Sequence, residues 1–208
     1  MFEKTISKST KSCLESLEKS FITKDFYLAG GTGLGLQIGH RISLDLDFFS
    51  KKEFQENRII SYLQNNGNFN LLKKDWQTIN GILNKTRVSF MNYPYSLLCP
   101  ANKFGKIRLA SIKDIACMKL DAISTRGSKK DFIDLYVIIK EYYSLSELII
   151  LFNKKYKKIK YNLPHLFKSL VYFADAEKDP MPKMFYEIKW QEVKSFLQRE
   201  VIKLQKIY

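Results

Sequence analysis

FYLAGGTGLGLQIGHRISLDLDFFS, residues 26 to 50, decides how the chain is read. Phe26, Tyr27, Leu28 and Ala29 form an apolar run that reads as a short buried strand, and it stops at Gly30-Gly31-Thr32. A strand-to-helix turn of this composition leaves backbone N–H groups unpaired and pointing outward, which makes a seat for phosphate. From Thr32 to Arg41 the period is helical, with Leu34, Ile38 and Arg41 on one face and Gly35 and Gly39 a turn apart on another. With Gly33 these are three glycines at about 1 kcal/mol each relative to Ala, so a close backbone approach is expected to offset about 3 kcal/mol. The helix is expected to end near His40-Arg41, and Leu44 to Phe49 reads as a second strand. Period two puts Asp45 and Asp47 on one of its faces.

Two carboxylates about 6 Å apart repel by roughly 2 to 3 kcal/mol at an effective dielectric near 20, and a cation between them removes that cost. Mg²⁺ suits the pair, because it takes hard oxygen ligands and is commonly shared between one or two carboxylates and the phosphates of a nucleotide. Alone, Gly-Gly-Thr is more often a plain turn and Asp-x-Asp more often two solvated side chains. Strand, turn, helix and strand in that order, with twelve residues between Thr32 and Asp45, favour a site.

Leu28, Ala29, Gly30, Gly31, Thr32, Leu34, Leu36, His40, Arg41, Ser43, Asp45, Asp47, Phe48 and Phe49 together resemble the GG(S/T)…DxD signature of the polymerase-β-like nucleotidyltransferases. In detail the stretch is similar to the AbiEii/AbiGii toxin branch. A second patch, DIACMKLDAISTRGSKKDFIDLY from Asp114 to Tyr136, resembles the same branch, so the likeness covers most of residues 24 to 140. It implies an α+β nucleotidyltransferase fold. A small mixed β-sheet with helices would occupy residues 1–110, and a helical half over 111–208 would complete the nucleotide and acceptor cleft.

The same resemblance implies a reaction. An acceptor hydroxyl attacks the α-phosphate of an NTP, a nucleoside monophosphate is transferred, and pyrophosphate leaves. Mg²⁺ or Mn²⁺ would sit on Asp45 and Asp47, and the phosphates on the backbone of Gly30, Gly31, Thr32 and Gly33 with the Thr32 hydroxyl. Arg41, Ser43 and Arg126 are further candidates for holding the nucleotide. Lys119, Asp131 and Asp134 fall at the family's nucleotide site, where Lys119 would neutralise charge in the transition state. By spacing alone, Asp131 and Asp134 share a helical face and are open to pairing Lys119 or Arg126, orienting a nucleotide, or capping a helix after Ser128. Branch members are implicated in modifying tRNA ends, which implies an RNA acceptor and a separately encoded antitoxin. One departure stands out: enzymes of this superfamily usually add a third carboxylate from a neighbouring strand, and here Val88-Ser89-Phe90 puts Ser89 in its place.

Composition agrees with a polyanionic partner. The chain has 208 residues, a net charge of +14 and 45% apolar residues, enough for a core of its own. Residues 1–110 carry 16 basic against 9 acidic groups and residues 111–208 carry 19 against 12, so the excess is spread evenly. Lys154 to Lys160, with Tyr156 inside it and Tyr161 beside it, is the one local cluster, read equally as an RNA-stacking stretch or a solvated helix end. A small-molecule or protein nucleotidyltransferase would share the site without needing this charge, and a basic RNA-binding module with a degenerate pocket would need the charge alone. No secretory h-region and no apolar run of eighteen residues is present, so a cytoplasmic protein with no membrane contact is expected. Cys13, Cys99 and Cys117 lack metal or disulfide spacing and read as buried thiols, while His40 reads as a helix cap and Trp76 and Trp190 as core.

Elsewhere, residues 9–21 and 54–66 have helical periodicity and 68–92 reads as two or three strands, with the hairpin turn at either Asn80-Gly81 or Asn84-Lys85. From Ser111 onward helical patterns follow at 111–125, 129–143, 145–157, 163–174 and about 184–206. Ser111 and Asp114 resemble a capping box.

Overall fold

Leu46, Phe48 and Ser50 alternate with Asp47 and Phe49 along one strand, and that alternation organises the first half of the chain. The computed structural model describes residues 1–159 and 161–206 and separates into two units, Met1–Ser111 and Ile112–Tyr208.

In the first unit a 3-10 turn at Glu3–Thr5 precedes α1 (Lys8–Leu17) and α2 (Ile22–Asp25). Then come β1 (Tyr27–Leu28), α3 (Gly30–Ile38), β2 (Leu46–Ser50), α4 (Glu56–Asn66), β3 (Phe69–Asp75), β4 (Thr78–Leu83), β5 (Thr86–Asn92), β6 (Asn102–Phe104) and β7 (Ile107–Leu109). The strands make one mixed sheet in the order β3-β4-β5-β2-β1-β7-β6. The β2/β5 and β1/β7 pairs are parallel, and the other neighbours are antiparallel. This is the α+β arrangement expected from the sequence.

Period two then sorts the sheet's faces. Leu28, Leu46, Phe48, Val88, Phe90 and Leu109 are buried in one cluster with Cys13, Leu14 and Leu17 of α1 and Ile59 and Leu63 of α4. Phe48 and Phe90 stack with centroids 5.2 Å apart, and Phe26 meets Phe90 edge-on at 5.4 Å. Each buried aromatic contributes an order of 2 kcal/mol of burial, so this face fixes the register of β2 against β5. The alternate residues, Asp47 and Ser89 among them, take the other face.

Local chemistry explains several boundaries. α3 ends at Ile38, short of the end expected near His40-Arg41, because Gly39 takes φ +73° and caps it, and Arg41 therefore lies beyond the helix. A left-handed cap suits glycine, so its presence there carries no helix-interior cost. His40, expected as the cap, lies beyond it and is wholly buried. The β4–β5 turn falls at Asn84-Lys85, both with positive φ, as a tight two-residue hairpin demands. Gly81 instead sits inside β4, where a Cβ would collide with the Phe69 ring. Trp76, expected in the core, is 72% exposed at the β3–β4 turn.

The second unit is helical: α5 (Ile112–Thr125), α6 (Lys129–Glu141), α7 (Leu145–Lys155), α8 (Leu163–Ser169), α9 (Ala174–Glu177) and α10 (Trp190–Gln205). Ser144 starts α7 with a full capping box, its side chain accepting from the Glu147 amide while Glu147 accepts from the Ser144 amide. Asp114, expected in a capping box with Ser111, is fully buried and accepts from Lys155 Nζ at 2.8 Å. That bond changes the reading of the lysine cluster. Lys155 and Tyr156 are interior, Tyr156 packs with Phe152 and Tyr161, and Lys154, Lys157 and Lys158 are exposed. Lys160 lies outside the described residues. Cys13 and Cys117 are buried, and burial pushes both thiols up to about 12, while Cys99 is half-buried. Among the described residues no helix is long and apolar enough to cross a membrane.

Candidate active site

α3 begins at Gly30 with φ +61°, a conformation that strains any L side chain. A Cβ there would stand 2.5 Å from Asp47 Oδ2. At Gly31 a Cβ would run into the Arg41 guanidinium and lie 2.8 Å from Ser43 Oγ. Both glycines therefore leave room for functional groups that come in from the far end of the motif. Arg41 is buried and donates from Nη1 to the Ile42 carbonyl at 3.1 Å.

The amides of Gly30, Gly31 and Thr32 open a nine-residue helix and have no acceptor within it, so the positive end of α3 is directed at the same spot. Three amides, a guanidinium and a hydroxyl make a seat for an anion. Two expectations need correction here. The Thr32 hydroxyl is buried and donates to the Asp45 carbonyl at 2.5 Å, so only its amide is available to phosphate. The Gly33 amide is occupied as well, donating to the Ala29 carbonyl at 2.9 Å in the first turn of the helix.

Asp47 lies within β2 and Asp45 one residue before it, both half-buried. The Ala29 amide donates to the Asp47 carbonyl at 3.0 Å, which holds the carboxylate strand against the glycine turn. Across the sheet, Asp47 is paired with Ser89, and Ser89 with Asn80. Among the described residues no third His, Cys, Asp or Glu joins Asp45 and Asp47 in a metal-binding group. Two half-exposed carboxylates on one face, with an anion seat beside them, fit a divalent ion that takes its remaining ligands from phosphate and water.

The second unit gathers the other candidates into one buried cluster. Lys119 Nζ on α5 lies 2.8 Å from Asp131 Oδ1 and 2.6 Å from Asp134 Oδ2, both on α6. Arg126 Nε adds a 3.0 Å bond to Asp131 Oδ2, and Ser128 Oγ donates to the same oxygen at 2.7 Å. Burial raises the Asp131 pKa, but Lys119 and Arg126 outweigh it and bring the carboxyl down to about 2. Lys119, expected to meet phosphate directly, is only 5% exposed and already neutralised by two carboxylates. Arg126 has 63% of its side chain exposed and is the cation of this cluster that reaches solvent.

Residues 12–101 and 86–206 match the family model "Nucleotidyl transferase AbiEii toxin, Type IV TA system". This chain belongs to the AbiEii nucleotidyltransferase family. It is accordingly a nucleotidyltransferase. Over 201 residues the AbiEii chain is 38% identical to an uncharacterized protein, aq_aa25, of Aquifex aeolicus, spanning 94% of this chain and 96% of that one. Its fold is similar to that of JHP933 from Helicobacter pylori, with TM-score 0.55 and 18% identity over 97% of this chain and 95% of that one. MenT4, a nucleotidyltransferase toxin of Mycobacterium tuberculosis, gives TM-score 0.58 and 12% identity over 91% and 80%.

One feature lay beyond sequence reasoning. The Asp114–Lys155 pair joins residues 41 positions apart, and without the fold nothing separated Lys155 from its exposed neighbours.

Proposed function

We propose that the protein transfers a nucleoside monophosphate from an NTP to the end of an RNA, with Mg²⁺ held by Asp45 and Asp47, as the toxin partner of a separately encoded antitoxin. The contact of the Asp47 carboxylate with the Gly30 turn carries this reading, because it sets a metal-binding group beside an anion seat. The amides of Gly30, Gly31 and Thr32, with Arg41 and Ser43, orient the triphosphate, and their fixed dipoles stabilise the charge that grows on it. Bound there, Mg²⁺ supplies Lewis-acid polarisation of the phosphoryl oxygens. Lys119, Asp131 and Asp134 form a buried support that holds Arg126, the cation of the second unit's cluster that reaches solvent. The net charge of +14 favours RNA over a small molecule. Restricting the enzyme to the cytoplasm follows from such an acceptor.

Purified protein incubated with Mg²⁺, each labelled NTP and total RNA tests this directly. Label is expected on RNA with the wild-type protein and on nothing with Asp47→Asn. Label on protein or on a small acceptor would redirect the assignment, and RNA binding with no NTP consumption would mark a degenerate pocket.

A further inference from the structure

The first unit contains a second anion-attracting feature away from the glycine turn. A cavity of about 410 Å³ is lined by Lys24, Lys51, Lys52 and Arg108, with Asp25 the one acidic group in its wall. Among the described residues no carboxylate lies within ion-pair distance of the Lys24, Lys51 or Lys52 ammonium groups. Arg108 Nη1 donates to the Lys24 carbonyl at 3.0 Å, which fixes the segment carrying Lys24 against β7. Uncompensated cations brought together in a concave wall repel one another and focus a positive potential, and a polyanion entering the cavity relieves both.

Strand geometry decides which anion this is. Lys51 follows Asp47 by four residues, about 13 Å along β2 and its continuation. A triphosphate seated on Gly30 to Thr32 does not reach that far, so the cavity is no part of the triphosphate seat. The same end of the sheet displays Trp76: Asn92 pairs with Ser50 in register, and its amide donates to the Gln77 carbonyl at 2.9 Å, so the β3–β4 turn lies at the Ser50 end. Gln77 is clamped in turn, accepting from the Phe54 amide and donating to the Phe54 carbonyl, each at 2.8 Å. The indole at 72% exposure is thus held out from a fixed turn. Unpaired lysines and a solvent-facing indole at one end of a sheet are what a single-stranded polynucleotide uses, phosphates on the cations and a base on the ring.

We propose that the Lys24/Lys51/Lys52/Arg108 cavity is an anchoring site for the phosphodiester backbone of a single-stranded stretch of the acceptor RNA, several residues away from the reacting hydroxyl. The inference rests on the RNA-acceptor reading above. The triple variant Lys24→Gln, Lys51→Gln, Lys52→Gln leaves every residue of the glycine turn and both aspartates in place. Its binding to a short single-stranded oligoribonucleotide is measured against salt, together with KM for RNA and for NTP. The slope of log K against log salt is expected to fall by about 2, at about 0.7 per lost phosphate contact on a single strand. KM for RNA should rise at least tenfold with KM for NTP unchanged, and Trp76→Ala should weaken binding without altering the slope. A wild-type slope and RNA affinity in the triple variant overturn the site, as does binding of a phosphorylated peptide in preference to the oligonucleotide. A lowered slope in the variant, with no label on any RNA from the wild-type protein, keeps the cavity as an RNA site and overturns the acceptor reading instead.

Discussion

Asp47 and Ser89 are direct partners in the parallel pairing of β2 with β5. Both are half-buried, on the face opposite the Phe48–Phe90 stack. A hydroxyl with a pKa far above neutrality thus sits where a neighbouring-strand carboxylate would add charge to the metal site and accept a proton.

Ser89→Asp should therefore fold, tighten Mg²⁺ binding and raise the transfer rate, within the roughly 10²- to 10⁴-fold range of general-base catalysis. Titration of Mg²⁺ against transfer rate measures both effects. An unchanged rate in a folded variant would place the base elsewhere, and loss of the fold would mean that a carboxylate cannot be accommodated beside Asp47.

Gly31→Ala should abolish or greatly reduce transfer while lowering stability modestly. The added methyl group must displace the Arg41 guanidinium or Ser43 Oγ, both of which line the anion seat. Loss of NTP affinity by at least tenfold, followed by a fluorescent nucleotide analogue, is the expected result. Wild-type affinity would show that neither Arg41 nor Ser43 holds the nucleotide.

Lys119→Met removes the cation between two buried carboxylates. Breaking such a pair from one side costs about 3 to 5 kcal/mol, so the melting temperature should fall by roughly 10 °C. A variant with the wild-type melting temperature and no transfer would return Lys119 to direct contact with phosphate.

Acid stability should report the same cluster. The Asp131 carboxyl is held at about 2, below its unfolded value near 4, so its contribution is complete above pH 4 and disappears as pH falls through 2. That is about 2 kcal/mol across this window. Denaturant titrations at intervals of pH should show the wild-type protein losing this increment relative to Asp131→Asn. Parallel acid limbs in the two proteins would contradict it.

The site's first unit was legible because its residues occupy one continuous stretch in which glycine, carboxylate and arginine are each chemically distinctive. Period and spacing alone put Asp45 and Asp47 on one strand face and Gly30 at the turn, whereas Arg41, read as part of the helix, lies beyond the Gly39 cap. The role of Thr32 could not be read that way, since a hydroxyl beside a phosphate seat and one tied to the Asp45 carbonyl have the same sequence. The α5/α6 cluster was legible in membership and illegible in role: spacing put Asp131 and Asp134 on one face, but burial of Lys119 between them depends on how the helices pack. Trp76 failed for a similar reason, because an exposed indole at a hairpin turn contradicts the average preference that a sequence reading must use.

The bond from the Thr32 hydroxyl to the Asp45 carbonyl joins the two ends of the motif across thirteen residues. Its consequence is thermodynamic. The turn that would receive the triphosphate and the strand that would carry the metal cannot shift independently, so whichever ligand arrives first pre-arranges the place of the other. By reciprocity, nucleotide should raise the affinity for the divalent ion by the same factor as the ion raises the affinity for nucleotide. With Mg²⁺ in excess, such coupling would lower the NTP concentration at which the site fills while leaving the one-site shape of the curve unchanged.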